Sequence, residues 1–230
     1  MNQFDLTHSG TGLIVKQNTL VRQVYGWMGL GLALTAVMAL VTVSTPALYE
    51  AIVGNRLIFY GLMIGELALV FILSGAINRL SAGVATMLFL GYSALNGLTL
   101  SVIFQVYTAD SIASTFAVSA AMFGAMSGYG YVTKKDLTSW SSFLFMGLIG
   151  IVIASLVNIF LKSNAVSWVV SAIGVIVFTG LTAYDTWKIK ELAASGEEGR
   201  KPAILGALTL YLDFINLFLM LLRLMGGRRS

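Results

Sequence analysis

The feature that most constrains this chain is the length of its stretches without Asp, Glu, Lys or Arg. Five of them cover residues 23–49, 80–109, 111–133, 137–161 and 163–184, with 27, 30, 23, 25 and 22 residues. A bilayer core of ~30 Å takes about 20 helical residues, so each stretch is long enough to cross it. Two more apolar regions are broken by a single acid: 57–78 holds only Glu66, and 202–222 holds only Asp213. Apolar residues run on continuously, without the strict alternation of a membrane barrel. Charged residues make up 10% of the 230, against about 25% in a soluble domain, too few to cover a water-facing surface. The expectation is an all-α integral membrane protein with seven transmembrane helices.

The spans are expected at about 23–45, 57–78, 82–105, 111–132, 139–161, 166–188 and 203–224. They form a single transmembrane domain over 22–225, between an N-terminal tail (1–21) and a short basic tail (226–230). The first 21 residues are mostly polar and lack the apolar core of a cleavable signal peptide. The longest polar link, about Lys188–Lys201, reads as a mobile loop around Glu197-Glu198-Gly199. No internal repeat of the kind found in many transporters is visible. Alternate sides of the membrane carry nine and five Lys or Arg residues, with nine on the N-terminal side. The positive-inside rule then puts the N-terminus in the cytoplasm and, after an odd number of spans, the C-terminus outside.

Three carboxylates have to be explained. One in hydrocarbon costs ~2.5–3.5 kcal/mol on insertion scales and normally faces a polar interior with a partner. Glu66 lies at least ~13 Å of helical rise from Arg56 or Arg79, and Asp213 is similarly deep. Asp185 sits lower, three residues before Lys188. Each has a bland reading: an interfacial pair with Lys188 for Asp185, a protonated structural hydrogen bond for Glu66. Around Asp213, the residues Gly206, Thr209 and Asn216 follow steps of three, four and three, a small and polar stripe on one helix face. Spans six and seven are joined by a short link and run antiparallel. If span six extends a turn past the membrane, Asp185 and Asp213 reach similar depth. Two touching carboxylates cannot both ionise cheaply, so the pair shares a proton and forms a pH-sensitive latch. Deprotonated, the same oxygens are hard ligands of the type Ca²⁺ prefers.

Weaker features allow two readings each. Tyr92, Asn96 and Thr99 share a face of span three and either line a polar path or bond neighbouring helices. Gly124 and Gly128 read as tight helix packing. Gly128-Tyr129-Gly130 ends a full span and is no potassium filter. His8 stands alone in a polar tail. Neither HExxH, GxSxG nor a Walker A loop is present. Asp213 also lacks the following glycine that an aspartyl protease would use to unwind its helix. Absent cysteine removes thiol chemistry and disulfides. No catalytic residue and no cofactor are expected, and the small net charge of +4 speaks for membrane topology rather than nucleic-acid binding.

The runs Ala183-Tyr184-Asp185-Thr186 and Leu208-Thr209-Leu210-Tyr211-Leu212-Asp213-Phe214-Ile215-Asn216-Leu217-Phe218, with Leu222-Arg223, resemble the signature of the Bax inhibitor-1 (transmembrane Bax inhibitor motif) family. Gly124 and Gly128 followed by Thr133-Lys134-Lys135-Asp136-Leu137 also match its pattern. The likeness extends from Arg22 to Arg223 and is greatest to bacterial members, which implies the inner membrane. It implies a seven-helix bundle with the C-terminal helix in the centre. It also implies a pH-dependent calcium leak in which the two aspartates, matching Asp185 and Asp213, sense protons. A glutamate of the second span matches Glu66, and Arg79 is the nearest candidate for an arginine that helps latch the closed state. Asp185, Asp213 and Glu66 are therefore the candidate calcium or proton site, with Thr209, Asn216 and Asn96 as its polar face.

The favoured reading is a calcium leak channel gated by the aspartate pair, closed at low pH and opened by deprotonation. Its partners are then the lipid bilayer, calcium and protons. The rival is a non-conducting regulator that binds a membrane protease or translocation component; on that reading Asn in place of either aspartate leaves activity intact. A proton-coupled solute carrier needs a roomy polar cavity that the sequence does not clearly supply.

Overall fold

The computed structural model describes residues 3–196 and 199–229, with side chains from Thr19 onward. Seven long helices dominate: α1 (Gln3–Ser44), α2 (Arg56–Ala76), α3 (Ala82–Leu100), α4 (Ala109–Val132), α5 (Thr138–Leu161), α6 (Asn164–Ala194) and α7 (Arg200–Met225). Each contains a segment long and apolar enough to cross a membrane, beginning in α1 at Thr19. No strand occurs among the described residues, only an isolated bridge between Tyr107 and Arg228. The chain is an all-helical membrane protein with seven candidate spans.

The helix boundaries follow local chemistry. The Asn55 side chain accepts from Leu57 N and Ile58 N at the start of α2, Ser81 from Val84 N at α3, and Thr108 from Ser111 N at α4. Each satisfies an amide that has no partner within its own helix. Helix α1 extends back through the polar segment expected as a tail; both prolines of the chain, Pro46 and Pro202, lie outside it. Helix α6 runs to Ala194, so only 195–199 separates it from α7. Gly196 and Gly199 take φ of +91° and +103° there, the left-handed region that glycine occupies freely. The mobile-loop reading of Glu197-Glu198 falls outside the described residues.

The chain divides into two compact units. The first holds the chain up to Val106 together with Ile189–Tyr211; the second holds Tyr107–Lys188 together with the chain from Leu212. In the first, α1 and α3 approach closely at Gly97, where a Cβ would lie 2.5 Å from the Thr35 backbone oxygen. In the second, Gly130 of α4 lies against the Ala183 backbone of α6, and Phe214 sits between Phe116 and Phe123 at 5.3 and 5.5 Å. Within its apolar window α7 is 72% buried, against 6% for α2. The last helix is therefore the most enclosed of the seven, while α2 and α5 present Leu57, Phe71, Phe143 and Phe160 outward. An apolar exterior of this kind suits a lipid solvent.

Candidate functional site

The second unit brings Asp185 and Asp213 together. Helix α6 continues about two turns beyond Asp185, which gives the carboxyl a rigid place opposite α7. The two side chains hydrogen-bond to each other. Such a bond between carboxyl groups needs a proton, so the pair carries at most one negative charge while it lasts. Asp213 is 5% exposed, and its Oδ2 has no hydrogen-bond partner among the described residues. Lys188, one turn along α6, is the cation that acts electrostatically on Asp185. It lies on the exposed side, with Nζ 6.0 Å from the centre of the Tyr184 ring.

Glu66 belongs to the first unit. Its Oε1 accepts from Thr99 Oγ1 at 2.8 Å and its Oε2 from Asn96 Nδ2 at 3.4 Å. Asn96 also reaches the Tyr92 hydroxyl at 3.4 Å. Asn96 and Thr99 of α3 thus bond the one acid of α2, while Tyr92 is held through Asn96. They bond a neighbouring helix, one of the two readings their spacing allowed. Tyr211 closes the group, with its ring edge-on to Tyr92 at 5.6 Å and to Phe89 at 6.0 Å.

The stripe expected around Asp213 divides. Gly206 is packed against Val24 and Ile189. Thr209 and Asn216 are half-buried and donate to backbone oxygens of their own helix, Leu205 at 3.1 Å and Leu212 at 2.8 Å. Arg79 is exposed in a short 3₁₀ turn (Ile77–Arg79) after α2 and makes no salt bridge among the described residues. No group of three or more His, Cys, Asp or Glu among the described residues is clustered tightly enough to hold a metal ion. Asp185 and Asp213 are one pair, and Glu66 stands with neutral partners.

Sequence reasoning overlooked a hydroxyl seam on α4. Thr115, Ser119 and Ser127 are buried in the second unit, and the hydroxyls of Thr115 and Ser127 have no partner among the described residues. Their steps of four and eight put them on one helix face, a signal that was available but stood beside the more conspicuous glycines. Those glycines behave differently from expectation: Gly124 and Gly128 are exposed, and a Cβ on either would meet nothing within 4 Å. The close packing is at Gly130, whose missing side chain admits the α6 backbone.

Comparison with known proteins agrees with this architecture. The family model described as inhibitor of apoptosis-promoting Bax1 matches residues 17–230. The inner membrane protein YbhL of Escherichia coli K12 is 61% identical over 216 residues, covering 92% of each chain. An uncharacterized protein of Borreliella burgdorferi is 45% identical, covering 98% of this chain and 99% of its own. An uncharacterized membrane protein of Streptococcus pyogenes serotype M6 is 42% identical, covering 96% of both. With a family model spanning nearly the whole chain and a relative of this identity aligned almost end to end, the protein belongs to the Bax inhibitor family.

Proposed function

We propose that this is a multi-pass protein of the bacterial inner membrane that conducts calcium as a pH-sensitive leak, without catalytic activity. The observation that carries the reading is the hydrogen bond between the Asp185 and Asp213 carboxyls. At low pH the shared proton joins α6 to the second half of α7 and keeps the path closed. As pH rises the proton leaves, and two like charges in apolar surroundings repel. The freed oxygens then act as hard ligands for Ca²⁺. The two carboxyls act on one another, and Lys188 is the charged neighbour that acts on Asp185.

Within the first unit, Glu66 with Asn96 and Thr99 offers a second candidate set of oxygens, and Thr209 and Asn216 are the candidate polar residues of α7. Arg79 is the candidate for the arginine that steadies the closed state. The name of the Escherichia coli relative supports the inner membrane, and the nine-to-five excess of Lys and Arg on the N-terminal side supports a cytoplasmic N-terminus and an external C-terminus.

Calcium flux into liposomes holding the purified protein, measured from pH 6 to 8, tests this. Flux is expected to rise with pH by no more than about tenfold per unit, because one proton leaves per opening. In Asp185→Asn or Asp213→Asn the pH dependence is expected to vanish. Flux no greater than in empty liposomes at every pH would overturn conduction in favour of a regulator that binds a membrane protease or translocation component.

A further inference from the structure

The second unit carries an open groove between α4, α5 and α6, with a volume of about 530 Å³. Its walls include Met122 and Met126 of α4, Phe143 and Leu144 of α5, and Ile176 of α6. Phe143 and Ile176 are 66% and 69% exposed, so the groove opens onto the apolar exterior rather than into the interior. From Val132 back to Met122, helical rise is ~15 Å, half of a ~30 Å hydrocarbon core. The deepest wall residue of the groove on α4, Met122, therefore lies about one leaflet's depth from the end of that helix.

Its mouth is polar and basic. Ser139 and Trp140 line it directly after the α4–α5 turn. That turn carries Lys134, Lys135 and Asp136, all exposed. Asp136 is engaged by the Thr138 backbone N–H at 2.8 Å, and neither lysine makes a salt bridge among the described residues. Trp140 stacks on Tyr129 with ring centres 6.5 Å apart, an aromatic pair of the kind that settles at headgroup level.

We propose that this groove holds an acyl chain of one anionic phospholipid, whose headgroup phosphate is met by Lys134 and Lys135. An apolar slot that reaches one leaflet's depth from the end of α4 suits a single hydrocarbon chain, and its volume lies within the ~300–1,000 Å³ of ordinary ligand pockets. Methionine side chains adapt to the contour of such a chain. The charge at the mouth selects the headgroup: two lysines against one aspartate that is already hydrogen-bonded leave net positive charge where a phosphate lies. Zwitterionic lipids match the slot but not its mouth.

Native mass spectrometry of the full-length protein, equilibrated with equal phosphatidylglycerol and phosphatidylcholine, tests the assignment. Phosphatidylglycerol is expected to be retained about tenfold more strongly. Lys134→Gln combined with Lys135→Gln should abolish that preference, and Val175→Trp, which fills the groove, should lower retention of both lipids. Equal retention by the unaltered protein, or a preference that survives the paired lysine substitution, would overturn the proposal. Both lysines are exposed, so their variant carries the test even if Val175→Trp fails to fold.

Discussion

The hydroxyls of Thr35 and Tyr211, 176 positions apart in the chain, meet at 2.6 Å in the buried core of the first unit. Thr35 Oγ1 also lies 2.8 Å from the Ser93 backbone oxygen. The Gly31 backbone oxygen is 3.0 Å from Oγ1 as well; with a single hydrogen to give to these two carbonyls, Thr35 accepts from Tyr211, and the contacts link α7, α1 and α3. Removing the two ends of this chain has unequal effects. Tyr211→Phe leaves Thr35 still donating and should cost about 0.5–1.5 kcal/mol. Thr35→Val strands the buried tyrosine hydroxyl and should cost about 1–3 kcal/mol. Unfolding midpoints in one detergent, together with the double variant, check this order; an equal or reversed order would remove the assigned direction.

Glycines on α3 and α4 should separate in the same assay. At Gly97 an added Cβ meets backbone of α1, 2.5 Å from the Thr35 oxygen, with Met38 Cβ at 2.7 Å. Gly97→Ala must push two helices apart and should cost about 1–3 kcal/mol, as overpacking does. Gly124→Ala and Gly128→Ala enter open space and should be neutral or stabilising by up to about 1 kcal/mol, through helix propensity alone. Loss of stability at Gly124 or Gly128 would indicate that this face is covered by another chain.

These glycines also illustrate how much the sequence discloses. The seven helices were legible because a bilayer imposes a length on every uncharged stretch; α2, α4, α5 and α7 follow the apolar stretches closely, whereas α3 stops at Leu100 and α6 runs on through charged residues to Ala194. The buried acids were legible because a carboxylate among apolar residues is costly enough to require a reason. Spacing alone, however, does not tell which small residue touches a neighbour. Gly124 and Gly128 have the pattern, whereas Gly130 has the contact, which depends on the rotation of α4 about its own axis. Likewise Glu66 was conspicuous, but its bonds to Asn96 and Thr99 required the register of α2 against α3. Tyr211 stood out only as part of a motif, since nothing local points from it to Thr35.

The helix starts give a prediction at the surface. Asn55 has an extended backbone, with φ −98° and ψ 102°, and accepts from Leu57 N and Ile58 N at 3.1 and 3.3 Å. Asn55→Ala removes the cap and should cost about 1 kcal/mol, while Asn55→Asp should cost nearly nothing. Equal losses in the two variants, read from unfolding midpoints, would show that the cap contributes no stability.

Asp136 supplies a pH prediction outside the membrane. Hydrogen bonds from the Thr138 side chain, and then from its backbone N–H, hold the Asp136 carboxyl below the usual carboxylate range. A carboxyl depressed in the folded state contributes stability above its unfolded value, near pH 4, and loses it as pH falls through the folded value. Asp136→Ala should therefore lower stability by a constant amount from pH 6 to 8. The difference should fade as pH falls through and below the usual carboxylate range. Asp136→Asn should leave the pH dependence of calcium flux between pH 6 and 8 unchanged, because Asp136 is fully ionised throughout. A shifted flux profile in that variant would implicate Asp136, rather than the Asp185–Asp213 pair alone, in gating.

Glu66 allows a structural role to be separated from a conducting one. Glu66→Gln keeps a carbonyl oxygen for Thr99 but turns an amide toward Asn96. Asn96 Oδ1 is buried without a partner among the described residues, so turning the Asn96 amide over presents that acceptor to the new amide. The substitution should change stability by less than about 1 kcal/mol. Glu66→Leu removes the carboxylate, leaving Thr99 only the Asn96 backbone oxygen at 3.1 Å and the more distant Leu95 oxygen, and Asn96 only the Tyr92 hydroxyl at 3.4 Å, and should cost about 1–3 kcal/mol. If the Glu66 charge attracts calcium into the path, flux should drop severalfold in Glu66→Gln although the protein is as stable as before. Flux that follows stability across the two variants, nearly normal in Gln and reduced only in Leu, would make Glu66 an anchor for α3 and remove it from the path.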